Sequence, residues 1–126
     1  MAITGIQLVS IYVNDVDRAI DFYTNKLGFQ KHDDGPLFEG SDVRWVTVTI
    51  PTTSIDFVLV KGHANWSPDR VGKSTGICLT VDNIIDTFKQ LEANGVEITE
   101  QPNRQDWGIQ AQFKDSEGNS FVVVGE

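Results

Sequence analysis

The sequence contains little cysteine, little histidine and few basic residues, and each shortage narrows the classes of function. The single cysteine, Cys78, excludes an internal disulfide and fits a reducing compartment, so we expect a cytoplasmic protein. Only 10 Lys and Arg residues stand against 18 Asp and Glu residues, and nucleic acid is not an expected partner because phosphates need basic side chains. No run of about 18 apolar residues occurs and the first residues show no signal-peptide pattern, so we expect no membrane partner.

The remaining composition is that of a folded domain. With 126 residues and 40 % hydrophobic content, the chain is long enough to bury one core. The net charge of −8 favours a neutral or cationic small molecule over an anion, although solubility alone also accounts for it.

One stretch, DVDRAIDFYTNKLGF, carries the signals of a complete helix. Asp15 can accept a hydrogen bond from an orphan N–H of the first turn, and Gly28 can adopt the left-handed conformation that ends a helix. Between them, apolar side chains recur every three or four residues and so share one face. The sequence therefore predicts an amphipathic helix directly after a strand, IQLVSIYV.

A weaker copy of this unit returns in the second half, GICLTVDNIIDTFKQLEANGVEI. Asn83 is the predicted cap of its helix, and Gly95 is the predicted end. Val13 aligns with Val81 at an offset of 68 residues, and Gly28 aligns with Gly95 at an offset of 67. Agreement to within one residue predicts an internal duplication.

Three predicted strands follow the first helix. A short strand begins at Phe29 and gives way to a loop at Gly35-Pro36, and further strands cover residues 43–50 and 55–60. The stretch Lys61–Thr75 has no periodic pattern and connects the two copies. A loop of this length is typical of a lid, a binding loop or a flexible connector.

The second copy repeats this order. An edge-like strand ends at Pro102, another runs from Trp107-Gly108 to Lys114, and the last is SFVVVGE, after a turn at DSEGN. The order β-α-β-β-β, twice, predicts an α+β fold in which a helix covers one face of each small sheet.

These residues resemble the vicinal oxygen chelate superfamily, which includes glyoxalase I, extradiol dioxygenases and bleomycin-resistance proteins. The resemblance rests on DVDRAIDFYTNKLGF, VDNIIDTFKQLEANGV and DSEGNSF, and with the duplicated order it covers essentially the whole chain. It implies one domain over 1–126, with module one at about 4–62, a linker at about 62–75 and module two at about 76–126. It also implies a curved, barrel-like mixed sheet around a ligand cavity, and a homodimer.

Metal-dependent members of that superfamily hold a divalent ion with His and Glu side chains from four strands. By the resemblance, the four positions fall on Leu8, Asp56, Gly76 and Val122 in this sequence. Three of them cannot ligate, because Leu, Gly and Val offer neither imidazole nor carboxylate. We therefore expect no metal and no other cofactor, and we assign no catalytic residue.

Asp56 is the one acid kept at a metal-ligand position. A buried carboxylate without a partner is costly, so we expect Arg44 or a cationic ligand group to pair with it. The two histidines, His32 and His63, are interpreted as solvated loop residues. If the protein is instead an enzyme with a displaced metal site or no metal, Asp56 and His63 are the first candidates.

Seven side chains are candidates for binding a small molecule. Trp45 lies on a strand face with hydroxyl residues, where an indole could stack on a ligand or simply fill space. Cys78 shares the corresponding face of the second copy, although a small buried apolar side chain is the favoured interpretation. Trp66, in the long loop, is interpreted as locally packed, and a lid or a dimer contact is the alternative. The seven candidates are Ser10, Tyr12, Trp45, Thr47, Asp56, Cys78 and Trp107.

The sequence and the resemblance together predict a metal-free small-molecule binding protein of the glyoxalase/bleomycin-resistance type. Its ligand is expected to be aromatic or cationic and to lie in the cavity between the sheets. One alternative is a lyase, isomerase or dioxygenase of the same superfamily with a non-standard metal site. Another is a regulatory or structural protein whose own side chains fill the cavity.

Overall fold

The computed structural model describes residues 2–126 and contains two successive β-α-β-β-β units. The first compact unit ends at Arg70 and the second begins at Val71. The strands are β1 (Leu8–Tyr12), β2 (Gln30–Pro36), β3 (Arg44–Thr49), β4 (Asp56–Val60), β5 (Ser74–Val81), β6 (Glu97–Gln105), β7 (Gly108–Lys114) and β8 (Ser120–Gly125). The helices are α1 (Val16–Asp21), a π-helical turn (Phe22–Lys26), a 3-10 turn (Pro68–Arg70) and α2 (Ile84–Ala93).

Each unit contains a four-stranded mixed sheet. Unit one has the order β1-β4-β3-β2, in which β1 and β4 are parallel and the other neighbours are antiparallel. Unit two has the order β5-β8-β7-β6 with the same directions of pairing. The predicted α+β class and the repeated element order are confirmed.

The first helix begins and ends where the sequence predicts. Asp15 Oδ1 accepts a hydrogen bond from the Arg18 backbone N–H at 3.0 Å, which caps the first turn. After the π-helical turn, Gly28 adopts φ +78°, a left-handed conformation that glycine enters without a Cβ clash. Within residues 2–126, no helix is long and apolar enough to cross a membrane.

In unit one, aromatic rings connect the helical segment to one face of the sheet. The ring centroid of Tyr23 lies 5.6 Å from that of Phe29, which lies 5.3 Å from that of Phe57 on β4. We call this side the helix face and the opposite side the far face. The far face of sheet one consists of Leu8, Ser10, Tyr12, Trp45, Thr47, Thr49, Asp56, Val58 and Val60.

Unit two has the same construction. Asn83 Oδ1 accepts a hydrogen bond from the Asp86 N–H at 3.1 Å and caps α2 as predicted. The Phe88 ring lies 6.4 Å from Phe113, which stacks on Phe121 at 5.3 Å. The far face of sheet two consists of Cys78, Thr80, Gln110, Gln112, Lys114, Ser120, Val122 and Val124.

The ends of β5 and β8 approach each other closely. Gly125 pairs with Val81, and a Cβ placed on Gly125 would collide with the Val81 carbonyl oxygen. A backbone atom cannot turn aside as a flexible side chain can, so this position accepts only glycine without a shift of one strand.

Two strand ends predicted from prolines are wrong. The expected loop at Gly35-Pro36 is the end of β2, and β6 continues past Pro102. Both strands lie at the edges of their sheets. Proline lacks a backbone N–H, but at a sheet edge that N–H can face solvent, so its absence need not break the hydrogen bonds between strands. Pro102 also lies between Glu100 and Asn103, where the register of β6 shifts and leaves residues unpaired.

Candidate functional site

Five of the seven predicted ligand-binding side chains share the far face of sheet one. The register places Ser10 of β1 and Thr47 of β3 on either side of Val58. Alternate residues of a strand point to the same side, so the neighbours two positions away join them. The five are Ser10, Tyr12, Trp45, Thr47 and Asp56.

Tyr12 is held at the end of β1 by the loop that follows β4. Its hydroxyl donates a hydrogen bond to the Ala64 carbonyl oxygen at 3.2 Å, and the Arg70 guanidinium lies 5.9 Å from its ring centroid. The Trp66 indole N–H donates to the Val13 carbonyl oxygen at 2.8 Å. The loop therefore folds back onto β1, and local packing of Trp66 is confirmed.

Trp45 is half-buried and contacts two polar side chains. Its indole N–H lies 3.4 Å from Asp33 Oδ2, and its ring centroid lies 6.1 Å from that of His63, with the planes inclined by 41°. Thr47 is fully buried, and its hydroxyl oxygen accepts a hydrogen bond from the Asp33 backbone N–H at 3.0 Å. Ser10 is exposed. Trp45 thus offers aromatic surface, whereas Thr47 holds β2 in place.

Both histidines differ from the expectation of solvated loop residues. His32 lies in β2, and its Nδ1 is 3.1 Å from Asp56 Oδ1 and 3.2 Å from Oδ2. The register of β2 shifts between Lys31 and Asp33, and such a bulge re-aims the side chain at its centre. His63 does lie in the loop, but it is half-buried, and its Nε2 is enclosed without a hydrogen-bond partner among residues 2–126.

Asp56 is therefore paired with an imidazole, not with Arg44 or His63. The hydrogen bond to Asp56 raises the pKa of His32, and the negative charges of Asp56 and Asp33 act in the same direction. Donor atoms of His32, Asp33 and Asp56 lie within 4.8 Å of one another. Two carboxylates and one imidazole, contributed by β2 and β4, therefore form one cluster.

Arg44 belongs to a different set of charges, so the expected Arg44–Asp56 pair is wrong. Its guanidinium donates to Asp17 at 2.8 Å and to Asp34 at 3.0 Å. Desolvation by itself raises the pKa of Asp34, but hydrogen bonds from Arg44 and then Lys31 outweigh it and hold that pKa below its usual value. The hydrogen bond to Asp17 raises the pKa of Arg44, which stays charged.

The four superfamily metal positions do not fit a divalent ion. Leu8 lies opposite Asp56 in the β1–β4 register, and Val122 lies opposite Cys78 in the β5–β8 register. Alkyl side chains have no lone pair to donate, and Gly76 has no side chain. Asp56 is the single one of the four that could ligate.

The other two predicted ligand-binding residues lie in unit two. Cys78 is exposed on the far face of sheet two, so its interpretation as a buried apolar side chain is wrong. Trp107, between β6 and β7, is 64 % exposed, yet its indole N–H donates to Gln110 Oε1 at 3.0 Å. An exposed indole that is tethered in this way keeps its orientation.

Sequence reasoning missed the polar network behind Trp107. Gln110 Nε2 donates to Glu100 Oε1 at 2.9 Å, and Gln112 Nε2 lies 3.3 Å from the same oxygen. Alternation along β7 places both glutamines on the far face, and that signal was available. Their contact with Glu100 depends on the shifted register of β6, which no local pattern shows.

Each unit also has a surface groove. The groove of unit one, about 510 Å³, lies at the start of α1 and includes Arg44 and Lys61 in its lining, but none of the predicted site residues. The groove of unit two, about 380 Å³, is lined by Trp107 together with Asp82 and Glu126. The second groove therefore combines an exposed aromatic ring with acidic side chains.

Comparison with known proteins identifies relatives over nearly the full length. Residues 5–123 match the Glyoxalase/Bleomycin resistance protein/Dioxygenase superfamily. The Bacillus subtilis protein YetH is 31 % identical over 121 residues, which cover 96 % of this chain and 98 % of YetH.

Two solved structures are similar in sequence and in fold. A superfamily member from Sphaerobacter thermophilus has a TM-score of 0.86 and 35 % identity, covering 98 % of both chains. TnmS3, an antibiotic binding protein from Streptomyces sp. CB03234, has a TM-score of 0.85 and 31 % identity, covering 99 % of this chain and 98 % of TnmS3. The resemblance seen in the sequence is confirmed, and the chain belongs to the Glyoxalase/Bleomycin resistance protein/Dioxygenase superfamily.

Proposed function

We propose that this protein binds a small aromatic or cationic molecule and needs no metal ion at the four superfamily positions to do so. The observation that carries the proposal is the far face of sheet one, where an indole, a phenol, a hydroxyl and a carboxylate share one surface. Aromatic rings stack on planar ligands and attract cations, and polar side chains beside them fix orientation.

Charge supports the cationic side of this proposal. The chain has a net charge of −8, and Asp56 and Asp33 carry negative charge onto the far face beside Trp45. Like-charged walls concentrate ions of the opposite sign and so favour a cation over an anion.

The comparisons support the binding of an organic molecule. TnmS3, which is 31 % identical over 99 % of this chain, is an antibiotic binding protein. In this chain, the tethered Trp107 and the acidic groove beside it provide a second aromatic surface. An indole held by a hydrogen bond loses little further freedom when a ligand stacks on it.

The test is a titration with a panel of cationic aromatic compounds, bleomycin included, in the presence of a chelator. We expect saturable quenching of tryptophan fluorescence and a rise in melting temperature for at least one compound. Trp45→Phe or Trp107→Phe should reduce the quenching, whereas Trp66→Phe, which changes a packed loop residue, should not. The absence of both quenching and thermal shift across the panel would contradict the proposal.

The proposal includes a homodimer. Ile3 is 96 % exposed and Ile6 is 64 % exposed next to β1, which is a sheet edge, and Phe38 is 65 % exposed. Exposed apolar side chains near an open edge favour association with another chain. Light scattering should give the mass of a dimer, and Ile6→Glu should shift it towards the monomer. A monomer at all accessible concentrations would remove this part of the proposal.

A further inference from the structure

We propose that His32, Asp33 and Asp56 form a binding site for a divalent transition-metal ion on the far face of sheet one. This site differs from the four superfamily positions, because two of its three ligands come from β2. It goes beyond the proposed ligand-binding function and does not depend on it.

The donor set selects the kind of ion. One imidazole nitrogen and two carboxylates suit borderline ions such as Mn²⁺, Fe²⁺, Co²⁺, Ni²⁺ and Zn²⁺. Mg²⁺ and Ca²⁺ prefer sites built from oxygen atoms alone and gain less from an imidazole. We therefore expect the transition ions to bind more tightly than Mg²⁺.

The spacing of the donor atoms fits coordination. Neighbouring ligands on an ion with bonds of about 2.1 Å are about 3.0 Å apart in octahedral geometry and about 3.4 Å apart in tetrahedral geometry. His32 Nδ1 and Asp56 Oδ1 are 3.1 Å apart, and a carboxylate oxygen of Asp33 lies within 4.8 Å of both. Coordination by all three donors therefore requires the Asp33 carboxylate to move closer to the other two.

The charges around the site are unbalanced. Among residues 2–126, neither Asp33 nor Asp56 forms an ion pair with a lysine or arginine, and the ion pair of Asp56 is with His32. The adjacent Asp34, in contrast, is paired with Arg44 and Lys31. Two carboxylates that share a single imidazole keep a net negative charge, which a divalent cation would offset.

The surroundings also hold the donors in place. The Trp45 indole N–H reaches Asp33 Oδ2, and the Thr47 hydroxyl accepts the Asp33 backbone N–H. Such outer hydrogen bonds orient metal ligands and strengthen binding. The His32 side chain is 59 % exposed and that of Asp56 is 22 % exposed, so an ion can enter and keep water on its free positions.

The test is calorimetric titration of chelator-treated protein with Zn²⁺, Ni²⁺ or Mn²⁺ alone, together with the visible spectrum of the Co²⁺ form. We expect one ion per chain. His32→Gln and Asp33→Asn should each weaken binding by at least about tenfold, the lower end of what loss of an orienting neighbour costs. Asp34→Asn is the matched control, because it removes the same charge one residue away and should leave the affinity unchanged.

Three results would overturn the site. The first is no saturable binding by any of the ions, which would leave a His32–Asp56 ion pair alone. The second is equal weakening by Asp33→Asn and Asp34→Asn, which would indicate general attraction to an acidic surface. The third is a Co²⁺ spectrum unchanged by His32→Gln.

His32 and Asp33 are exposed, so we expect these variants to fold, and circular dichroism checks this. The organic-ligand titration contains a chelator and this one contains no organic ligand, so either proposal can fail alone.

Discussion

The two units share one topology, and they differ in what their edge strands bring to the far face. In unit one, the shifted register of β2 places His32 against Asp56. In unit two, the shifted register of β6 places Glu100 beside Gln110 and Gln112. Both edge strands are irregular, and each places an ionisable side chain near the far face where its register shifts. The repeated fold determines the position on the far face that the edge strand reaches. The local sequence determines which side chain stands at that position.

The difference matters for how each face responds to solution conditions. An imidazole exchanges its proton near neutral pH and is a common metal ligand, whereas carboxamides neither titrate nor bind divalent ions strongly. The far face of sheet one therefore changes its charge with pH, because His32 titrates there. The amides of sheet two instead hold Glu100 and Trp107 in fixed positions.

The largest expected effect comes from removing one buried phenylalanine ring from the core of each unit, which compares the contributions of the two cores to stability. Phe113 is 1 % exposed in the core of unit two, and Phe57 is 3 % exposed in that of unit one. Replacing either phenylalanine with alanine should lower the free energy of unfolding by about 3–5 kcal/mol, because it leaves a cavity. Urea denaturation checks this and shows whether one transition or two occur. A loss below about 1 kcal/mol would place that ring outside the core.

A smaller effect is expected at the close approach of β5 and β8. Gly125→Ala should cost about 1–3 kcal/mol in unfolding free energy, because the new Cβ meets the Val81 carbonyl. Gly35→Ala in unit one is the matched control: its Cβ would meet nothing within 4 Å, so the change should stay within about 0.5 kcal/mol. Equal effects in thermal or urea unfolding would contradict the close approach.

The helix caps give a direct comparison of the same device in both units. Asp15→Ala and Asn83→Ala should each cost about 1 kcal/mol in unfolding free energy, since each removes the acceptor for an N–H of the first turn. Asp15→Asn and Asn83→Ser keep an acceptor and should retain most of that stability. If the alanine and the acceptor-retaining variants are equally stable, the caps contribute nothing.

The smallest expected effect is specific to unit one. The pKa of His32 is raised in the folded state, so its contribution to stability is complete below about pH 6.5 and disappears as the pH rises through the raised value. The stability difference between the parent protein and His32→Gln should therefore shrink from about pH 5 to about pH 9. Melting curves recorded with a chelator measure it, and a difference that stays constant would contradict the ion pair.

Most of the fold could be predicted because its signals are local. Asp15 and Asn83 were predicted as caps and Gly28 as the end of the first helix, each from a few neighbouring residues. The positions of Pro36 and Pro102 inside strands could not be predicted, because only the sheet order shows that these strands are edges.

The candidate site also contains some features that local sequence predicts and others that it does not. Alternation along each strand was enough to group Ser10 with Tyr12, and Trp45 with Thr47. The partner of Asp56 was not predictable, because His32 reaches it from β2 past the intervening β3, and only because β2 is bulged. Such a contact joins residues 24 positions apart and has no local pattern.

The anchored loop after β4 has a consequence for protein engineering. By composition, with Gly, Asn, Ser and Pro, it resembles a preferred place for an insertion or a circular-permutation break. Its backbone and side chains are bonded to the end of β1 through Ala64, Trp66 and Lys61, so an insertion here would detach three anchors at once. The exposed turn at residues 39–40, between β2 and β3, is the better position for a reporter or an epitope.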